Sequence, residues 1–131
     1  MSTPVIERYD RLLASPAFHL TIIVILSGLV LFTTLQRGGL SGYDDAVYAE
    51  EGRQVLKTGN WTDVQFNGGV TYEYPPMFVW MEAASMSVFG INDAAAKLPS
   101  AVCGLLVVIV VYLIGCELFG AGLTAVVAAW V

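Results

Sequence analysis

The chain has 131 residues, 56% of them hydrophobic and 13% charged, whereas an ordinary soluble domain carries roughly 25% charged residues. That composition excludes a lone water-soluble globule. The net charge of −5 excludes nucleic acid as a partner, because phosphate contacts depend on clustered Lys and Arg.

The first residues mix Arg8 and Arg11 with Glu7 and Asp10. No small-x-small cleavage pattern follows the apolar run after them, so that run reads as a retained signal-anchor. Residues 17–35 carry no formal charge, and at about 1.5 Å per residue they nearly match a hydrocarbon core about 30 Å thick. They form the first expected span.

Residues 36–74 turn polar, Gly-rich and acidic. Within this loop, 44–58 reads as a short helix with Ser41 or Asp44 as its cap and Gly59 as its stop. Tyr48, Gly52, Val55 and Leu56 share one face at helical spacing, and that face is expected to lie against the membrane surface. Asn60-Trp61-Thr62 reads as a turn after Gly59.

A second span is expected at 75–90, opened by Pro75-Pro76 and stopped by Gly90. It is short for a crossing. Residues 92–97 read as a polar connection, and 98–116 as a third span. Cys103 and Cys116, both within that run, are too far apart for a CxxC pair and read as small buried hydrophobes. The run at 121–131 covers only about 16 Å of helix, the start of a fourth span. The expectation is an all-α, polytopic fold that forms the N-terminal part of a longer protein.

Arg8, Arg11 and Lys97 fall on one side of the membrane if every segment crosses. The bias over Arg37, Arg53 and Lys57 is slight, and it places the N-terminus in the cytoplasm and the acidic loop outside, in the cell membrane.

Chemistry concentrates in the loop. The adjacent carboxylates Asp44 and Asp45 can hold a divalent cation or act as a general base toward a hydroxyl; they can equally be the solvated acidic start of a helix. Glu73 stands at the membrane boundary just before the prolines. Glu82 lies about two turns inside the second segment, where an ionisable group is a functional candidate by default. Tyr43, Tyr48, Trp61, Phe66, Tyr72 and Tyr74 suit either a sugar site or an aromatic belt.

The order of residues adds more than their chemistry. Tyr43-Asp44-Asp45-Ala46-Val47-Tyr48-Ala49-Glu50, then Arg53 to Leu56 and Thr58-Gly59-Asn60-Trp61, resembles the first external loop of the GT-C glycosyltransferases, the superfamily of aminoarabinose transferases and dolichyl-phosphate-mannose protein mannosyltransferases. The likeness continues through Asn67-Gly68, Tyr72-Glu73-Tyr74-Pro75-Pro76, Trp80, Phe89-Gly90, Ala96 to Ala101 and Leu118-Phe119-Gly120.

The resemblance implies transfer of a sugar from a polyprenyl-phosphate donor to a protein, lipid or glycan hydroxyl outside the cytoplasm. It implies Asp44 as the leading catalytic acid with Asp45 as the lesser partner, and Tyr48, Glu50, Arg53, Tyr74 and Glu82 as substrate-binding residues. Glu73 would lie in a region that holds a divalent metal cation. Two departures stand out. Asp45 replaces the family's Glu, and Tyr74 replaces the Lys of aminoarabinose transferases, which counts against an aminoarabinose–lipid A substrate. The rival reading is a non-catalytic small membrane protein that assembles with partner helices, for which Gly104, Gly115, Ala125 and Ala128 permit close approach.

Overall fold

A computed structural model describes residues 15–40, 42–120 and 122–130. Arg8, Arg11, Ser41, Ala121 and Val131, which entered the expectations above, lie outside the described residues. The architecture is all-α apart from one small hairpin. The elements are α1 (Pro16–Thr33), α2 (Gly42–Thr58), β1 (Gln65–Phe66), β2 (Gly69–Val70), α3 (Pro76–Phe89), α4 (Asp93–Phe119) and α5 (Leu123–Trp130).

Among the described residues, α1 and α4 are long and apolar enough to cross a membrane. Helix α3 has 14 residues, about 21 Å of rise, short of a hydrocarbon core about 30 Å thick. The chain divides into two compact units, one of residues 32–102 and one of the described residues in Met1–Leu31 and Cys103–Val131.

The unit of residues 32–102 is built on α2 and α3. Helix α2 ends where Gly59 adopts a φ of 69°, the left-handed conformation that glycine takes without strain. Its amide donates to the Val55 carbonyl at 2.9 Å. Asn60 Oδ1 then accepts from the amides of Thr62 and Asp63 at 3.0 and 3.1 Å, which makes Asn60-Trp61-Thr62 a side-chain-closed turn. Val55, Val64, Val79 and Ala83 form the core, with Tyr48 and Leu56 packed on it.

The apolar face of α2 therefore packs on α3, which corrects the expectation that it lies on the membrane. Gly52 explains the pairing. A Cβ there would press on the Ala83 amide nitrogen at 3.2 Å and displace the flexible end of Met86, whose Cε lies at 2.8 Å, so glycine eases this approach of the two backbones. The hairpin between the two helices was not foreseen, although Asn67-Gly68 carries the signal for it. Both residues take positive φ, 51° and 81°, as a two-residue type I′ turn demands.

Helix α4 begins at Asp93, five residues before the expected 98. Asn92 Oδ1 accepts from the Ala95 amide at 2.9 Å, an N-cap bond, so the polar run is the first turn of the helix and not a connection. Pro99 then falls inside α4, where its missing amide leaves the carbonyl four residues earlier, that of Ala95, without its helical donor. Ser85 Oγ on α3 supplies the bond instead, at 2.6 Å.

In the other unit, Ile23, Tyr112 and Ala125 form a buried cluster. The Tyr112 hydroxyl donates to the Pro16 carbonyl at 3.0 Å. A Cβ on Gly115 would meet Ala125 Cα at 3.1 Å, and one on Gly104 would meet Leu31 Cδ1 at 3.6 Å. Gly104, Gly115 and Ala125, offered above as contacts for partner helices, are thus used within the chain.

Candidate active site

The expected site residues fall at three places in the unit of residues 32–102. The first is a cavity of about 200 Å³ lined by Asp45 and Tyr48 of α2, Phe78 and Glu82 of α3, and Lys97 and Ser100 of α4. Three of the candidate residues, Asp45, Tyr48 and Glu82, meet here. Asp44 and Asp45 both fall in the first turn of α2 and both are exposed, but of the two only Asp45 lines this cavity. At about 3.6 residues per turn neighbours point roughly 100° apart, so one acid of the pair turns to the cavity.

Tyr48 is the hub of this place. Its ring lies 4.8 Å from that of Tyr74 and 5.3 Å, edge-on, from that of Phe78. Burial pushes its phenol above the ordinary value, and the surrounding carboxylates Asp44, Glu51, Glu82 and Glu73 push it further in the same direction. The phenol is therefore a neutral hydrogen-bonding group at physiological pH.

Glu82 is 4% exposed, and its Oε2 is buried without a hydrogen-bond partner. Lys97 Nζ donates to the carbonyls of Gly38 and Gly39 at 3.0 and 2.8 Å, tying the segment before α2 to the first turns of α4. Phe78, Lys97 and Ser100 are lining residues that the sequence reading missed as site residues. Lys97 served there only as a topological charge, because with residues 92–97 read as a connection it had no fixed direction.

The second place is a cavity of about 200 Å³ that includes Glu50, Arg53, Met86 and Asn92. Here Arg53 forms a two-pronged ion pair with Glu50, Nε to Oε2 and Nη2 to Oε1, both at 2.6 Å. Gln54 Nε2 also donates to Glu50 Oε1 at 2.6 Å. The Arg53 hydrogen bonds hold the Glu50 carboxyl below its usual range. Both side chains are thus occupied with each other, in a cavity that adjoins the Asp45 cavity and shares Leu40 and Ala96 with it.

The third place is a larger, shallower cavity of about 430 Å³, lined by Thr71, Tyr72, Glu73 and Tyr74 ahead of the two prolines. Glu73 is exposed. Hard divalent cations such as Mg²⁺ and Ca²⁺ take six or more oxygen ligands, several of them often water, and a catalytic Zn²⁺ takes three protein ligands. Among the described residues no three His, Cys, Asp or Glu side chains come together as a metal site. Glu73 alone does not make a cation cage, and no chemical step is derived through a metal here.

The chain is thus predominantly helical, with two helices of membrane length and an acid-lined cavity on a short helical unit. Residues 73–131 match the dolichyl-phosphate-mannose-protein mannosyltransferase family. Three curated proteins similar to the chain are undecaprenyl phosphate-alpha-4-amino-4-deoxy-L-arabinose arabinosyl transferases. That of Pseudomonas fluorescens designated 1 is 31% identical over 100 residues, 76% of this chain and 18% of the relative. That of Pseudomonas savastanoi is 32% identical over 93 residues, 70% of this chain and 17% of the relative. That of Shewanella sediminis is 34% identical over 84 residues, 63% and 15% respectively. The chain is a relative of the GT-C polyprenyl-phosphate-sugar glycosyltransferases, and it spans less than a fifth of the length of these three proteins. No solved structure matches it.

Proposed function

We propose that this chain supplies an acidic pocket of a membrane glycosyltransferase, which moves a sugar from a polyprenyl phosphate to an acceptor hydroxyl outside the cytoplasm. The observation that carries the reading is the Asp45 cavity, which lies in the stretch that resembles the GT-C enzymes. The weak positive bias around Arg8, Arg11 and Lys97 supports a cytoplasmic N-terminus in the cell membrane, with the loop of residues 36–74 on the opposite face.

In this chemistry the acceptor oxygen attacks the anomeric carbon as the bond from that carbon to the phosphate oxygen breaks, with inversion. The leaving polyprenyl phosphate keeps the electron pair, and the acceptor proton passes to a carboxylate. Asp45 is the acid placed for that proton, since it lines the cavity, and a positioned carboxylate contributes as general base. Tyr48, neutral and flanked by the rings of Tyr74 and Phe78, orients the sugar by hydrogen bonding and apolar contact. Glu50 and Arg53 hold each other and steady α2.

The test is transfer itself. The complete gene product, purified into nanodiscs, would be given undecaprenyl phosphate carrying radiolabelled mannose, glucose or an aminopentose, with native membranes as acceptor. The expected result is release of undecaprenyl phosphate together with label in the acceptor. Failure to consume any donor of that panel would overturn the reading.

A further inference from the structure

Glu82 is the least explained polar group in the unit. It sits midway along α3 and is 4% exposed, yet Oε2 has no hydrogen-bond partner. Burying a carboxylate oxygen without a donor is costly, and buried polar atoms are nearly always paired. A Gln or Leu would fit the same helix at less cost. The orphan oxygen belongs to a residue lining the cavity that Asp45, Tyr48, Lys97 and Ser100 also line.

The chemistry of that lining is selective. Two acidic side chains and one ammonium line it, and two of the three donors of Lys97 are already held by the Gly38 and Gly39 carbonyls. A phosphate placed here would find too few donors for its oxygens, whereas a hydrogen-bond donor would satisfy Glu82. The volume of about 200 Å³ is below the roughly 300–1,000 Å³ of drug-sized ligand sites, which suits one sugar ring and excludes a polyprenyl chain.

Resting on the sugar-transfer reading above, we propose that this cavity is the glycosyl subsite of the donor, with Glu82 accepting a hydrogen bond from a ring hydroxyl while the lipid phosphate lies outside it. Glu82 is then a residue that determines which sugar is accepted. A site built to accept a hydrogen bond from a substrate hydroxyl discriminates against an analogue lacking it, because its buried acceptor is left unpaired.

The test is direct binding to the complete gene product in nanodiscs, wild type and Glu82→Leu, which removes the acceptor. The probes are undecaprenyl phosphate, undecaprenyl-phosphate-mannose, -glucose and -aminopentose, and ring-deoxy versions of whichever sugar binds. In Glu82→Leu, affinity for the preferred glycosylated lipid is expected to fall at least about tenfold, while bare undecaprenyl phosphate stays within about twofold. One ring-deoxy donor should bind at least about tenfold more weakly than its parent to wild type and equally with its parent to Glu82→Leu. Unchanged bare-lipid affinity also shows that the variant is folded. Equal loss for bare and glycosylated lipid would mean a purely structural role and overturn the proposal, as would no loss for either. If wild type binds bare and glycosylated lipid equally, the subsite alone is refuted; if it binds neither, the sugar-transfer reading falls with it.

Discussion

Glu50 and Glu51 are adjacent on α2 and meet opposite electrostatic fates. Glu50 shares a two-pronged bond with Arg53, which lowers its pKa. Its contribution is present above the ordinary carboxyl value and is lost as pH falls through the lowered one. Glu51 is 2% exposed, and burial first, then the charge of Glu73, raises its pKa. The folded state therefore holds the Glu51 proton more tightly than the unfolded chain does. That stabilisation is full below the ordinary carboxyl value and is lost as pH rises through the raised one. Glu51→Gln should accordingly melt at a higher temperature than wild type at pH 8, with the gap closing toward pH 4, in scans of the detergent-purified protein. A gap that stays the same at both pH values would show that Glu51 acts through packing and not through its charge.

At the scale of elements, the contact between α3 and α4 turns on a single carbonyl. Pro99 deprives Ala95 of its helical donor, and Ser85 replaces that donor from the neighbouring helix at 2.6 Å. Ser85→Ala should cost about 1–3 kcal/mol, the usual penalty for leaving a part-buried acceptor unmade. Pro99→Ala restores an amide within reach of the same carbonyl, so the serine substitution should cost distinctly less in that background. Chemical denaturation of wild type, both single variants and the double variant gives the coupling directly. Additive effects would mean that Ser85 does not serve the carbonyl that the proline frees. The close passage of α2 over α3 at Gly52 is the second constraint of this kind, and it fixes where Asp45 and Tyr48 stand relative to Glu82.

For the whole molecule, the membrane-length helices were legible from run length and missing charge alone, since a long apolar run without a formal charge, like 17–35, is itself the pattern of such a helix. The glycine stop of α2 and the proline entry to α3 were equally plain, because each reports a local backbone requirement. Three features were hidden. The partner of the α2 face depends on Gly52, whose lack of a side chain says nothing about what approaches it. Lys97 acquires a direction only once Asn92 starts α4 early. Helix rotation turns Glu50 and Arg53 to a cavity beside that of Asp45, whereas residue order alone groups all of them together.

The division between Asp44 and Asp45 offers the most direct test that the acid-lined cavity is where sugar transfer occurs. Both acids are exposed, but Asp45 lines the cavity with Glu82 whereas Asp44 is not among its lining residues. The measurement is the single-turnover rate of sugar transfer from the accepted polyprenyl-phosphate donor by the complete gene product, for Asp44→Asn and Asp45→Asn matched in yield and melting temperature. Asp45→Asn should slow transfer by about 10²–10⁴, the range for removal of a positioned general base, and Asp44→Asn by less than about tenfold. Near-normal transfer by Asp45→Asn, with or without a loss in Asp44→Asn, would contradict the placement of catalysis in this cavity.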